Sequence, residues 1–283
     1  MEITEEAGFI TCKANKINGT NIDLDFPSVG ATENIILATV LSEGTTVINN
    51  AAMEPEIIDL VNYLKKMGAK IEGAGTMTIT VKGVKKLSGA SYNIMPDRIE
   101  AGTLLCAVAG TGGKVTLTDV NPNHLSSAIN KLEECGCEIE VFNRSISLKA
   151  PKRLKPLEIK TMPYPGFPTD LQQIFSAILT KANGTSIIIE NIFENRYKYL
   201  AELRKMGAKI TTEGKTAIIS GTRKLNSATT ICTDLRGGAA LVIAGVMARG
   251  KTKIENIDYI LRGYENIDIK LNSLGAKIRI EEK

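Results

Sequence analysis

Apolar and polar positions along this chain fall into two alternating rhythms. From Ala31 to Glu43 the apolar positions are dense enough for a buried helix, which Gly44 stops. Thr45 to Ile48 is a β-branched run suited to a strand, and Ser186 to Ile189 is a second one. Ile57, Leu60, Val61 and Leu64 recur at helical spacing and predict an amphipathic helix ending in Leu-x-x-x-Gly. Thr76 to Val81 then alternates with period two before a Gly83-Val-Lys-Lys-Leu87 turn. The predicted order is helix, strand, helix and paired strands.

The order recurs. Leu64-Lys-Lys-Met-Gly-Ala-Lys-Ile71 has counterparts in Leu132-Glu-Glu-Cys-Gly-Cys-Glu-Ile139, Leu203-Arg-Lys-Met-Gly-Ala-Lys-Ile210 and Leu271-Asn-Ser-Leu-Gly-Ala-Lys-Ile278. Their glycines, Gly68, Gly136, Gly207 and Gly275, follow one another at intervals of 68, 71 and 68 residues. Gly44, Gly113, Gly184 and Gly250 keep the same beat, each closing an apolar stretch. A unit of this kind cannot bury its own apolar faces, so copies must pack around a shared core. Its strand content points to an α/β fold of α+β repeats arranged in lobes. The segment from Glu2 to Ala14, followed by Lys16-Ile-Asn-Gly19, matches the closing strands of a unit, with Glu72 to Gly89 as its counterpart. The expectation is a truncated start, partway through a repeat. Uncovered strand edges and apolar faces are then expected in residues 1–94, with partial disorder or aggregation there.

Composition changes this picture little. The 283 residues, 43% hydrophobic and 23% charged, suit an ordinary soluble protein with room for two cores. There is no apolar run of bilayer length and no basic-then-apolar leader, which argues against a membrane partner. A net charge of +4 without clustered basic and aromatic residues argues against nucleic acid. Five cysteines at irregular spacing suggest free thiols and a cytoplasmic protein.

Function should sit where the copies differ, and the start of each first helix is such a place. Ser28, Asp97 and Asp234 lie 16 residues before their closing glycines, whereas Asp170 lies 14 before its own. One reading makes all four helix N-caps. Another notes that Ser28, Val29 and Gly30 leave backbone N–H groups open to a phosphate. The two readings share the same orphan donors.

Several longer strings carry a resemblance. Phe26-Pro-Ser-Val-Gly-Ala-Thr-Glu-Asn34, Met95 to Gly102, Tyr164-Pro-Gly-Phe-Pro-Thr-Asp170, Phe193-Glu-Asn-Arg196, Thr233-Asp-Leu-Arg236 and Arg262-Gly-Tyr-Glu-Asn266 run in order across the chain. Together they resemble the UDP-N-acetylglucosamine enolpyruvyl transferase family, which begins peptidoglycan precursor synthesis. The resemblance implies an inside-out barrel fold of two lobes built from βαβαββ units. Residues 1–94 would be a remnant of the first lobe and 95–283 the second, with three units. It implies enolpyruvyl transfer from phosphoenolpyruvate to the 3-hydroxyl of UDP-N-acetylglucosamine, with no cofactor and no metal. Ser28, Val29 and Gly30 would meet the diphosphate, and Ile192 the nucleotide sugar. Asp170 would deprotonate the hydroxyl, and Asp234 would be a second carboxylate of the site. Arg196, Arg236 and Arg262 would bind anions, with Arg262 gripping phosphoenolpyruvate. The plainer alternative for each arginine is a solvated charge or a surface ion pair.

The family's catalytic cysteine, its Lys-Asn pair and its first-lobe arginines have no counterpart in this sequence. Cys135 and Cys137 fall in core slots, Cys106 in an apolar helix, Cys12 in a strand and Cys232 before a cap. His124 is expected at a helix entry and not as a base. Three hypotheses follow: an enzyme inactive in this form, a truncated binding module that holds the UDP-sugar weakly or pairs with an N-terminal fragment of the same enzyme, and a scaffold without ligand.

Overall fold

In the computed structural model, which describes residues 2–281, the sequence repeat becomes a βαβαββ unit. The chain divides into two compact units, Met1–Met95 and Pro96–Lys283.

The first unit opens with strands β1 (Glu2–Glu6) and β2 (Phe9–Lys13), an antiparallel hairpin with Glu2 opposite Lys13. A full repeat follows: β3 (Asn21–Asp23), α1 (Val29–Thr39), β4 (Thr45–Asn49), α2 (Pro55–Lys66), β5 (Lys70–Glu72) and β6 (Thr78–Lys82). The sheet order is β3-β4-β6-β5, with β3 parallel to β4 and the other pairs antiparallel. Ile36, Ile48, Ile57, Val61, Leu64, Ile79 and Val81 form its core. Helix α1 stops short of the expected Glu43. Ser42 N–H takes the Thr39 carbonyl and Val84 N–H takes that of Val40, so the chain leaves the helix before Gly44. Every residue of the β1–β2 hairpin is exposed, including Ile3, Phe9 and Ile10. Uncovered apolar surface is therefore marked at this hairpin, while residues 20–82 enclose a core of their own.

The second unit contains three copies. The first has α3 (Arg98–Thr111), β7 (Lys114–Thr118), a 3-10 turn (Pro122–Leu125), α4 (Ser126–Glu134), β8 (Glu138–Phe142) and β9 (Ser145–Lys149). The second has β10 (Glu158–Lys160), α5 (Thr169–Leu179), β11 (Thr185–Ile189), α6 (Tyr199–Lys205), β12 (Lys209–Glu213) and β13 (Thr216–Ser220). The third has β14 (Thr229–Ile231), α7 (Leu235–Met247), β15 (Lys253–Glu255), α8 (Asp258–Leu261) and α9 (Ile267–Ser273). The sheet orders are β7-β9-β8, β10-β11-β13-β12 and β14-β15, and none closes on itself among the described residues. In the third copy the residues after α9 form no strand among the described residues. The Asn272 side chain instead holds both the N–H and the carbonyl of Ile278, each at 2.8 Å.

Helices α3, α5 and α7, the first helix of each copy, pack on one another. Their apolar residues are buried nearly all round, as an interior helix requires. Gly110 permits the approach: a Cβ there would lie 2.7 Å from Met247 Sδ and 2.9 Å from an Ile178 methyl. Asp170 lies in the first turn of α5 and Arg236 in the first turn of α7.

Candidate functional site

Three of the four helix starts are capped as the N-cap reading expects. Ser28 Oγ accepts from Ala31 N–H at 3.2 Å, Asp97 from Ile99 and Glu100, and Asp234 from Gly237 at 2.7 Å. Asp170 departs from that reading. Helix α5 begins one residue earlier, at Thr169, with Pro168 in the cap position and no side-chain cap bond. The two-residue shortfall seen in the sequence thus moves Asp170 inside the helix and releases its carboxylate.

That carboxylate lies between two guanidinium groups. Arg196 Nη2 donates to Oδ1 at 2.5 Å, and Arg236 Nη2 donates to Oδ2 at 2.9 Å. The side chains of Asp170, Arg196 and Arg236 are 34%, 19% and 15% exposed, so neither arginine is a solvated surface charge, and both are largely buried ion-pair partners of one carboxylate. Both are held from behind as well. Arg196 lies 4.5 Å over the Phe193 ring, and its Nε donates to the Gln173 amide oxygen at 2.8 Å. Arg236 lies 5.6 Å over Tyr264, whose hydroxyl shares a 3.0 Å hydrogen bond with Thr103.

Electrostatics follow from this geometry. Burial pushes the Asp170 carboxyl up, but Arg236 and then Arg196 outweigh it, holding it below the usual carboxylate range. Burial pulls the Arg236 guanidinium down, and Asp170 and Tyr264 more than offset that. The result is an ionised carboxylate at a helix N-terminus, flanked by two cations that an anion can compete for.

The remaining candidates lie in different places. Arg262 caps the C-terminus of α8, 5.6 Å over the Tyr259 ring, and lines a cavity of about 410 Å³ with Asn256, Asp258 and Tyr259. Asp234 stays in its cap, two residues before Arg236, with its Oδ1 accepting from Gly237 N–H and its Oδ2 from Thr233 Oγ1. The Ile192 backbone N–H donates to Glu190 Oε1 at 2.8 Å. In the first unit, Val29 and Gly30 form the first turn of α1 behind Ser28, and the Cβ position of Gly30 has open space around it.

Cys106, Cys135, Cys137 and Cys232 are buried, and Cys12 alone is exposed. Burial pushes the Cys232 thiol up to about 11. His124 sits in the 3-10 turn before α4, with Nε2 2.9 Å from the Asn121 amide nitrogen. Sequence reasoning passed over Glu190, Gln173 and Tyr264. Among the described residues no His, Cys, Asp and Glu group suits a metal ion, and no helix is long and apolar enough to cross a membrane.

Comparisons with known proteins bear on the family and the fold. The family model for EPSP synthase (3-phosphoshikimate 1-carboxyvinyltransferase) matches residues 2–271. UDP-N-acetylglucosamine 1-carboxyvinyltransferase 1 of Caldanaerobacter subterraneus subsp. tengcongensis is 52% identical over 277 residues, 98% of this chain and 67% of that protein. UDP-N-acetylglucosamine 1-carboxyvinyltransferase 1 of Carboxydothermus hydrogenoformans is 50% identical over 278 residues, 98% of this chain and 66% of that protein. Among solved structures, the enolpyruvyl transferase NikO from Streptomyces tendae superposes with a TM-score of 0.86 at 25% identity, covering 98% of this chain and 69% of that one. EPSP synthase from Acinetobacter baumannii shares the fold, with a TM-score of 0.75 at 20% identity over 99% of this chain and 69% of that one. The chain spans about two thirds of the length of these relatives.

Proposed function

We propose, from the premise that this chain belongs to the EPSP synthase family of enolpyruvyl transferases, that it acts on UDP-N-acetylglucosamine and phosphoenolpyruvate in peptidoglycan precursor synthesis. In this reading Asp170 takes the proton of the sugar 3-hydroxyl. The oxygen then bonds to C2 of phosphoenolpyruvate as the methylene carbon gains a proton, and loss of a proton from that carbon with departure of phosphate from C2 regenerates the double bond as an enol ether of the sugar. Residues 1–94 belong to the first lobe and residues 95–283 form the second. Ser28, Val29 and Gly30 receive the diphosphate, Ile192 the nucleotide sugar, and Arg262 phosphoenolpyruvate, while Asp234 holds the start of α7 beside the reacting groups.

The observation that carries the reading is the position of Asp170. It has left the cap role of its three counterparts and lies between Arg196 and Arg236. A carboxylate paired with two cations is a weak base. When an anionic substrate draws one guanidinium away, and brings its own negative charge near, the proton affinity of Asp170 rises. Substrate binding thereby prepares the base.

One observation favours a second reading, a UDP-sugar-binding module that turns over only with an N-terminal fragment of the same enzyme. Four of the five cysteines are buried and the fifth lies on the exposed hairpin, which supports assigning the proton donor for the methylene carbon to no cysteine of this chain. Calorimetric titration with UDP-N-acetylglucosamine tests the reading common to both. Saturable binding, weakened at least about tenfold in Asp170→Ala, is expected. A folded sample that takes up no ligand, or binding indifferent to the substitution, overturns it.

A further inference from the structure

We infer that Glu190 is a positioning residue, which fixes Asp170 and the loop bearing Ile192 and Arg196 against one another. The inference rests on the reading of Asp170 given above. Glu190 is 1% exposed. Its Oε1 accepts from Thr161 Oγ1 at 2.9 Å, from Ile192 N–H at 2.8 Å and from Phe193 N–H at 3.1 Å. Its Oε2 accepts from Thr169 Oγ1 at 2.8 Å. These four donors come from three segments: the end of β10, the first turn of α5 and the loop after β11.

The consequence reaches both ends of the Asp170–Arg196 ion pair. Thr169 directly precedes Asp170, so one carboxylate oxygen ties down the backbone that aims the base. Phe193, whose N–H the other oxygen holds, supplies the ring beneath the Arg196 guanidinium. Ile192 is held through the same oxygen. One buried side chain thus sets the separation of three groups assigned to the ligand.

The internal repeat shows that the fold alone does not need this residue. The corresponding positions, six residues after Gly44, Gly113, Gly250 and Gly184 in turn, are Asn50, Asp119, Asn256 and Glu190. Asn50, Asp119 and Asn256 adopt left-handed backbone angles, with φ of 52°, 55° and 60°, as short polar side chains readily do. Glu190 does not share that conformation. In the first copy Asn50 ties the end of β3 with one bond, from Nδ2 to the Leu24 carbonyl at 2.8 Å. A longer, charged side chain at an interior position is expensive unless all its oxygens are satisfied. It appears in the copy whose helix start has also given up its cap. The two departures occur together because one orients the other.

The test needs neither ligand nor turnover. Carboxyl-¹³C NMR of aspartate-labelled protein, with Asp170 assigned through Asp170→Asn, follows the Asp170 titration in wild type, Glu190→Gln and Thr169→Val. Arg236 and Arg196 are the charges that face this carboxylate. Loosening Arg196 should move its midpoint upward by about half a unit or more in both variants. If Glu190→Gln fails to fold, Thr169→Val, which removes one hydroxyl from a side chain of the same shape, decides alone. An unchanged Asp170 midpoint in the folded variants overturns the inference and leaves Glu190 a structural residue. Failure of the sugar nucleotide to bind would instead strike the function proposed above.

Discussion

Arg236 reaches Asp170 from 66 residues away, donating to Oδ2 at 2.9 Å from the first turn of the next repeat's leading helix. Asp170 itself lies in the first turn of α5. Two helix N-termini from successive copies therefore converge on one carboxylate, with a guanidinium from each side. Helix starts and arginines both favour negative charge. In the free protein Asp170 supplies it, and an anionic substrate competes for the same field.

The ion pairs should make stability depend on pH in a defined sense. The Asp170 carboxyl is depressed in the folded state, so its contribution is present above the ordinary carboxylate value and lost as pH falls through the folded one. Asp170→Asn should destabilise by about 1–2 kcal/mol at neutral pH, a figure discounted for solvent screening because the side chain is 34% exposed. Urea unfolding measured downward from neutral pH should show the gap between variant and wild type closing below the usual carboxylate range. A gap independent of pH would contradict the ionic account.

Backbone protection should be uneven in the first unit. The β1–β2 hairpin buries none of its residues, whereas β4 and β6 pair along five positions over a closed core. A two-stranded ribbon without a covered face is marginal in water. Hydrogen exchange should be fast across Glu2–Lys13 and slow across Thr45–Asn49 and Thr78–Lys82. Equal protection in both regions would contradict this.

Thiol chemistry should separate the cysteines just as sharply. Cys12 is exposed, and burial raises the Cys106 thiol well above its ordinary value. Alkylation of the native protein should modify Cys12 quickly and the other four only on unfolding. Rapid modification of Cys232, which lies two residues before the Asp234 cap, would mean that the start of α7 is open.

Much of the fold was legible because the repeat is written in glycines and apolar spacing, which local physics constrains tightly. The N-cap roles of Ser28, Asp97 and Asp234 follow from residue type and register alone. Asp170 shares their type and differs only by a two-residue offset, so sequence could mark it as unusual without saying where its carboxylate would go. That outcome depends on Arg196 and Arg236, whose approach is set by packing between copies. Glu190 lay hidden for a related reason: its partners are two backbone N–H groups and two hydroxyls, which carry no pattern in the chain.

The most direct test of the central claim is a ¹H–¹⁵N NMR titration of this chain with UDP-N-acetylglucosamine. The account predicts saturable shifts at Asp170 and Ile192, at the backbone around Arg196 and Arg236, and at Ser28, Val29 and Gly30. Saturable shifts confined to other surfaces, with Asp170 and Ile192 unmoved in a folded sample, would contradict it.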